Sequence, residues 1–117
     1  MNAINEIANR LIALCTKLEF VEAYTELYAE DAVSIDPNYK NEPLKGLANL
    51  IEREKQFLAR VEIHEIKISE PIYAGSYFSV VISMDFTVNG QGRKMLEEIC
   101  IYKIENGKIV SQQFFMG

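Results

Sequence analysis

Residues 77–88, YFSVVISMDFTV, decide the fold. Phe78, Val80, Ile82, Met84 and Phe86 fall on one side of an extended chain, and Ser79, Ser83, Asp85 and Thr87 on the other, with Val81 among them. A period of two marks a strand with one face buried and one face wet. The run stops at NGQG (89–92), a turn sequence that folds the chain back into a hairpin. RKMLEEICIYKI (93–104) is its partner strand, ENG (105–107) a second tight turn, and KIVSQQFFMG (108–117) the last strand. Upstream, VEIHEIKISEPIY (61–73) reads as another strand, in which Pro71 marks an edge or a bulge. AGS (74–76) turns it into the decisive run.

The first half of the chain has a different period. Ile4, Ile7, Ala8, Leu11, Ile12, Leu14, Cys15 and Leu18 recur at helical spacing, with Asn5, Glu6, Asn9, Arg10 and Lys17 opposite. A shorter helix places Phe20, Val21, Tyr24, Leu27 and Tyr28 on one side. AVSID (32–36) is a short strand, because Val and Ile favour extended backbone. PNYKNEPLKG (37–46), with two prolines and a glycine, is loop. A third helix, 47–60, puts Leu47, Leu50, Ile51, Glu54, Phe57 and Leu58 on one stripe. Helices followed by a meander of strands give an α+β fold. The expected form is one domain, 1–117: a cone-like curved antiparallel sheet wrapped around three N-terminal helices. The open end of such a cone is a natural apolar pocket.

Composition narrows the functions. A chain of 117 residues builds one core. Its net charge of -5 argues against nucleic acid, which needs clustered Lys and Arg. No apolar run approaches the roughly 20 residues that cross a bilayer, so no membrane span is expected. The N-terminus lacks a basic n-region and carries Glu6 within its apolar pattern, so it reads as a helix and not as a signal peptide. Cys15 and Cys100 stand far apart with no CxxC or Cys/His spacing, which points to a reducing cytoplasm without disulfide or zinc.

FVEAYTELYAEDAVSIDP (20–37), Gly46 opening a helix, FTVNGQGRK (86–94) and IYKIENGKIVSQQFF (101–115) resemble the SnoaL-like and ketosteroid-isomerase-like families of the nuclear-transport-factor-like superfamily. The resemblance covers nearly the whole chain and implies the cone fold. It leaves the activity open, because this scaffold carries isomerases, cyclases, dehydratases, hydrolases and non-catalytic modules. The isomerases carry an aspartate general base in an Asp-Pro dipeptide at the end of the first strand, where Asp36 and Pro37 stand here. Their two oxyanion donors are a tyrosine on the first helix and a protonated aspartic acid on the penultimate strand. Those positions fall near Leu11 or Ile12, and at Cys100 or Ile101, so neither donor is present. Tyr28 matches a supporting tyrosine. Loss of one oxyanion donor commonly costs about 3 kcal/mol of transition-state stabilisation. The resemblance therefore implies a base in a pocket and speaks against classical steroid isomerisation. It also implies a homodimer formed sheet to sheet.

Each candidate residue has a functional and a structural reading. Asp36 either enters the cone as a general acid or base, or holds the turn before Pro37. Glu98 shares a face with Leu96, Cys100, Tyr102 and Ile104; it is a second pocket carboxylate or a wet rim residue, and a bulge would put Glu97 inside instead. His64, the single histidine, shares a face with Ile66 and Ile68; it either assists Asp36 or is a satisfied core or rim residue. With no second histidine, a histidine-based metal site is not expected. Gln112, on a face with Val110, Phe114 and Met116, either fixes a ligand carbonyl or pairs with a tyrosine. Tyr24, Tyr28, Tyr39 and Tyr102 need hydroxyl partners if buried. Cys100 reads as a small core residue. The expected pocket lining is Tyr28, Phe78, Val80, Ile82, Phe86, Cys100, Tyr102, Gln112, Phe114 and Met116. Ile99, Ile101 and Phe115 would form an apolar patch on the outer face, the usual sign of a partner.

The leading expectation is a protein that holds a small, largely apolar molecule and carries out cofactor-free acid/base chemistry: isomerisation, cyclisation or dehydration. Asp36 would be the base, assisted by Glu98 or His64. The rival is a non-catalytic ligand-binding or dimerisation module. The missing oxyanion donors favour it, as does a chain that ends at Gly117 with no tail over the mouth. The two part on one point: whether apolar side chains fill the cone, or a cavity of roughly a few hundred Å³ remains beside Asp36.

Overall fold

The computed structural model describes residues 3–117. Strand β5 (Tyr77–Val88) keeps its alternation, with Phe78, Val80, Ile82, Met84 and Phe86 buried. It pairs in full register with β6 (Gly92–Glu105), and β6 pairs in turn with β7 (Lys108–Met116), with one slip. On its other side β5 meets β3 (Val61–Ile68) and, past Pro71, the short β4 (Ile72–Ala74). The strand expected over 61–73 is thus two, broken where Pro71 withholds a backbone donor.

Helices α1 (Ile4–Thr16), α2 (Phe20–Leu27) and α3 (Leu47–Arg60) pack on the concave face of this curved sheet. β1 (Tyr28–Ile35) follows α2 directly and starts earlier than the expected 32–36. The segment expected as loop holds a 3-10 turn, Pro37–Tyr39, and a two-residue strand β2 (Leu44–Lys45). The sheet order is β2-β1-β7-β6-β5-β3, with both ends unpaired, so the cone stays open. One pairing departs from the antiparallel expectation: β1 runs parallel to β7, with Ser34 opposite Gln112. Parallel neighbours need a long connection, and here the rest of the domain supplies it.

Three register slips among the described residues shape which side chains face inward, one of them in β1–β7 between Tyr28 and Val33. The β3–β5 register slips between Ile63 and Glu65, leaving His64 as an extra residue. The β6–β7 register slips beside Ile104, so that Ile109 is opposite it and Val110 is the extra residue. A bulge moves subsequent side chains to the other face. Ile109 is consequently the fully buried residue of that segment, in place of the expected Val110.

The narrow end of the cone is solid. Ile7, Leu11 and Leu14 of α1, Ala23 and Leu27 of α2, and Leu50 of α3 pack against Phe78, Val80, Cys100 and Ile109. Phe78 stacks on Tyr102 with ring centroids 4.8 Å apart. Among the described residues no helix is long and apolar enough to cross a membrane.

Candidate functional site

The wide end of the cone encloses a cavity of about 630 Å³. Its apolar wall comes from Phe20 of α2, Leu50 and Phe57 of α3, Ile82, Met84 and Phe86 of β5, and Phe114 and Met116 of β7. Three carboxylates, Asp36, Glu54 and Glu98, face it from three different elements.

Asp36 follows the last residue of β1 in extended backbone, φ -135 and ψ 124, and Pro37 starts the 3-10 turn. Its Oδ1 accepts the Asn38 N–H at 2.8 Å. Asp36 therefore both holds the turn and lines the cavity. Glu54 is reached by helical spacing: Leu50, Arg53, Glu54 and Phe57 all line the cavity from α3. Glu98 points inward from β6, paired with Ile82 on one side and Met116 on the other. Glu97, opposite Ser83, takes the Ser83 hydroxyl at 3.3 Å on the outer face. The register thus puts Glu98, and not Glu97, inside.

Burial pushes the Glu54 carboxyl up to about 7. The Asp36 and Glu98 charges push it the same way, and Arg53 opposes them. Glu98 is likewise pushed up to about 7, first by burial and then by Asp36, against a Cys100 thiol 3.6 Å from its Oε1. Both carboxyls therefore exchange protons near neutrality. Among the described residues no three His, Cys, Asp or Glu side chains are set to hold a metal ion.

Behind this cluster lies a polar network centred on Gln112, only 2% exposed. The Tyr28 hydroxyl donates to Gln112 Oε1. Gln112 Nε2 donates to Tyr24 Oη at 2.8 Å and to Ser34 Oγ at 3.0 Å. Arg53 Nη2 also donates to Ser34 Oγ, at 3.1 Å, while its guanidinium lies 4.2 Å over the Tyr39 ring. The parallel β1–β7 register makes this possible, since it sets Ser34 beside Gln112.

Several expected positions need correction. His64 does not stand beside Asp36. The bulge turns it to the outer face, where its Nε2 lies 2.7 Å from Thr87 Oγ1 and the ring is exposed. Phe78, Val80 and Cys100 are core and not cavity wall, because α1 and α2 fill the narrow end where they sit. Tyr28, Ile82, Phe86, Tyr102, Gln112, Phe114 and Met116 do line the cavity. Glu54 and Arg53 were not among the expected site residues. The available signal was Glu54 itself, a carboxylate on the apolar stripe of the third helix.

Comparison with known proteins shows where this architecture recurs. A protein named as a SnoaL-like polyketide cyclase from Mesorhizobium loti superposes with a TM-score of 0.88 at 24% identity, over 97% of this chain and 99% of that one. A protein of ketosteroid isomerase-like fold from Catenulispora acidiphila, solved with trimethylamine, superposes at 0.76 and 17% identity, over 94% and 84%. An epoxide hydrolase from M. tuberculosis superposes at 0.75 and 11% identity, over 97% and 82%. Among curated proteins none matches this chain. The SnoaL-like domain model matches residues 2–116. Strand order, superposition and sequence pattern thus meet in one conclusion: the chain belongs to the SnoaL-like domain family.

Proposed function

We propose that the chain binds a small, largely apolar molecule in the cone and acts on it by cofactor-free acid/base chemistry of the isomerase, cyclase or dehydratase kind. The observation that carries this reading is the convergence of Asp36, Glu54 and Glu98 on one apolar-walled cavity. A general acid or base works best with a pKa near the working pH, and Glu54 and Glu98 both lie at about 7. Asp36 takes the proton from the substrate, and Glu98 or Glu54 delivers one to the developing product. The open cavity beside Asp36 supports this over a module whose cone is filled. The fold neighbours named as a cyclase and an epoxide hydrolase support the breadth of the class. Two free, buried cysteines support a reducing compartment, the cytoplasm.

The test is deuterium exchange. A panel of apolar ketones, hydroxyketones and epoxides is incubated with the protein in D₂O, and substrate deuteration or conversion is followed by NMR. Turnover is expected with the native chain and lost in Asp36→Asn at unchanged fold. Equal turnover in Asp36→Asn sinks the assignment of the base.

A second observation favours self-association. Register places Val81, Ile99 and Phe115 in one row across β5, β6 and β7. All three are exposed on the convex face, at 38%, 48% and 47%. We infer that two copies pair sheet to sheet over this row, with the half-buried Ile101 at its border.

A further inference from the structure

The protons of the Gln112 network can be followed one at a time. Gln112 Oε1 takes the Tyr28 proton. The Gln112 amide donates outward, to Tyr24 Oη at 2.8 Å and Ser34 Oγ at 3.0 Å. Ser34 Oγ takes a further proton from Arg53. Tyr24 therefore enters the network as an acceptor, and its own hydroxyl proton has no acceptor among the described residues. Ser34 is wholly buried and does not line the cavity, whereas Tyr24 does. The Tyr28 proton is spent on Gln112. Of the two cavity-lining tyrosines in this network, Tyr24 has a donor to offer an occupant and Tyr28 does not.

Resting on the reading of the cone as a ligand cavity, we propose that the Tyr24 hydroxyl holds an oxygen of the bound molecule, so that the site selects apolar molecules carrying a carbonyl over hydrocarbons of the same shape. The arrangement suits this task in three ways. Donation into Tyr24 Oη from Gln112 polarises the O–H and makes it a better donor. The ring is held against Tyr28, with centroids 4.6 Å apart, so the hydroxyl is pre-positioned. Burial, with the nearby Glu54 charge, pushes the Tyr24 pKa up, so the proton stays on the oxygen at neutral pH. A hydrocarbon would leave this proton unpaired in a desolvated site, which is where discrimination is largest.

The test uses the full chain and two probes of one shape: 2-acetylnaphthalene, and 2-isopropenylnaphthalene, in which CH₂ replaces the carbonyl oxygen. Affinities are measured by fluorescence titration, and the carbonyl stretch of carbon-13-labelled ketone is read by difference infrared spectroscopy. The ketone is expected to bind about tenfold more tightly than the hydrocarbon, with its stretch moved to lower frequency than in hexane. Tyr24→Phe should erase both effects, with hydrocarbon affinity rising toward that of the ketone because no proton is left unpaired; Gln112 keeps Ser34 as a partner in that variant. If that variant does not fold, the native affinity ratio and stretch still decide. Equal affinities with an unshifted carbonyl overturn the proposal and leave the cavity reading standing. A preference that survives in folded Tyr24→Phe assigns the oxygen to another donor and also overturns it. Binding of neither probe overturns both the proposal and the ligand reading.

Discussion

The Asp36 charge raises the proton affinity of Glu98, although Asp36 follows β1 and Glu98 lies well along β6. The two meet only because β7 bridges their strands. Replacing Asp36 with Asn removes a charge and keeps the shape. In Asp36→Asn, Glu98 and Glu54 should both titrate below about 7, yet stay above ordinary glutamate because burial remains. Carbon-detected NMR titration of the carboxyl groups reads this directly. Unmoved midpoints would mean that the three groups do not share a field.

Stability should fall as pH rises, in a defined window. Glu54 has a folded-state pKa of about 7 against an ordinary glutamate value of 4.5. Between these values the native state binds more protons than the unfolded state, so each step up in pH costs stability. The Glu54 contribution is intact below 4.5 and lost above about 7. Glu98 acts in the same sense over the same window. Glu54→Gln should therefore gain stability relative to the native chain as pH rises through this window. Thermal unfolding midpoints of both proteins from pH 4 to 8 test it; parallel curves would contradict the burial of this carboxyl.

Gln112 and His64 should differ sharply under truncation. Gln112→Ala removes partners from Tyr28, Tyr24 and Ser34 inside the protein. Each buried group left unpaired costs about 1–3 kcal/mol. His64→Ala touches an exposed ring and one hydroxyl, and surface changes usually stay within about 0.5 kcal/mol. Urea unfolding of the two variants should rank them in this order, and a reversed order would refute the network.

The convex row gives a prediction of mass. Ile99→Lys places a charge between Val81 and Phe115. If copies pair over this row, the native chain elutes as a dimer in light-scattering chromatography and Ile99→Lys as a folded monomer. A native monomer at tens of micromolar would end that idea.

Much of this was legible in the residues. The alternation of 77–88 and the helical stripes fixed strands and helices, because burial on one face leaves a periodic trace. The place of Glu98 could be narrowed to one of two neighbours by the same reasoning. What stayed hidden depended on single-residue slips. His64 and Val110 sit at bulges, and nothing local marks where a strand gains an extra residue. The parallel pairing of β1 with β7 was hidden too, since a short strand's partner and direction are tertiary facts. Glu54 was visible as an anomaly on an apolar stripe, yet its meaning required knowing that the stripe ends at a cavity.

The parallel pairing also sets an order of events. Ser34 and Gln112 are 78 residues apart in the chain and adjacent in the sheet. During synthesis α1, α2 and β1 leave the ribosome long before β7 exists. Contacts of such separation close late, because their loop entropy must be met by structure already formed. The cavity can therefore not mature ahead of the sheet: until β7 has paired with β1, Ser34 lacks Gln112 beside it and the wall that Gln112, Phe114 and Met116 supply is missing.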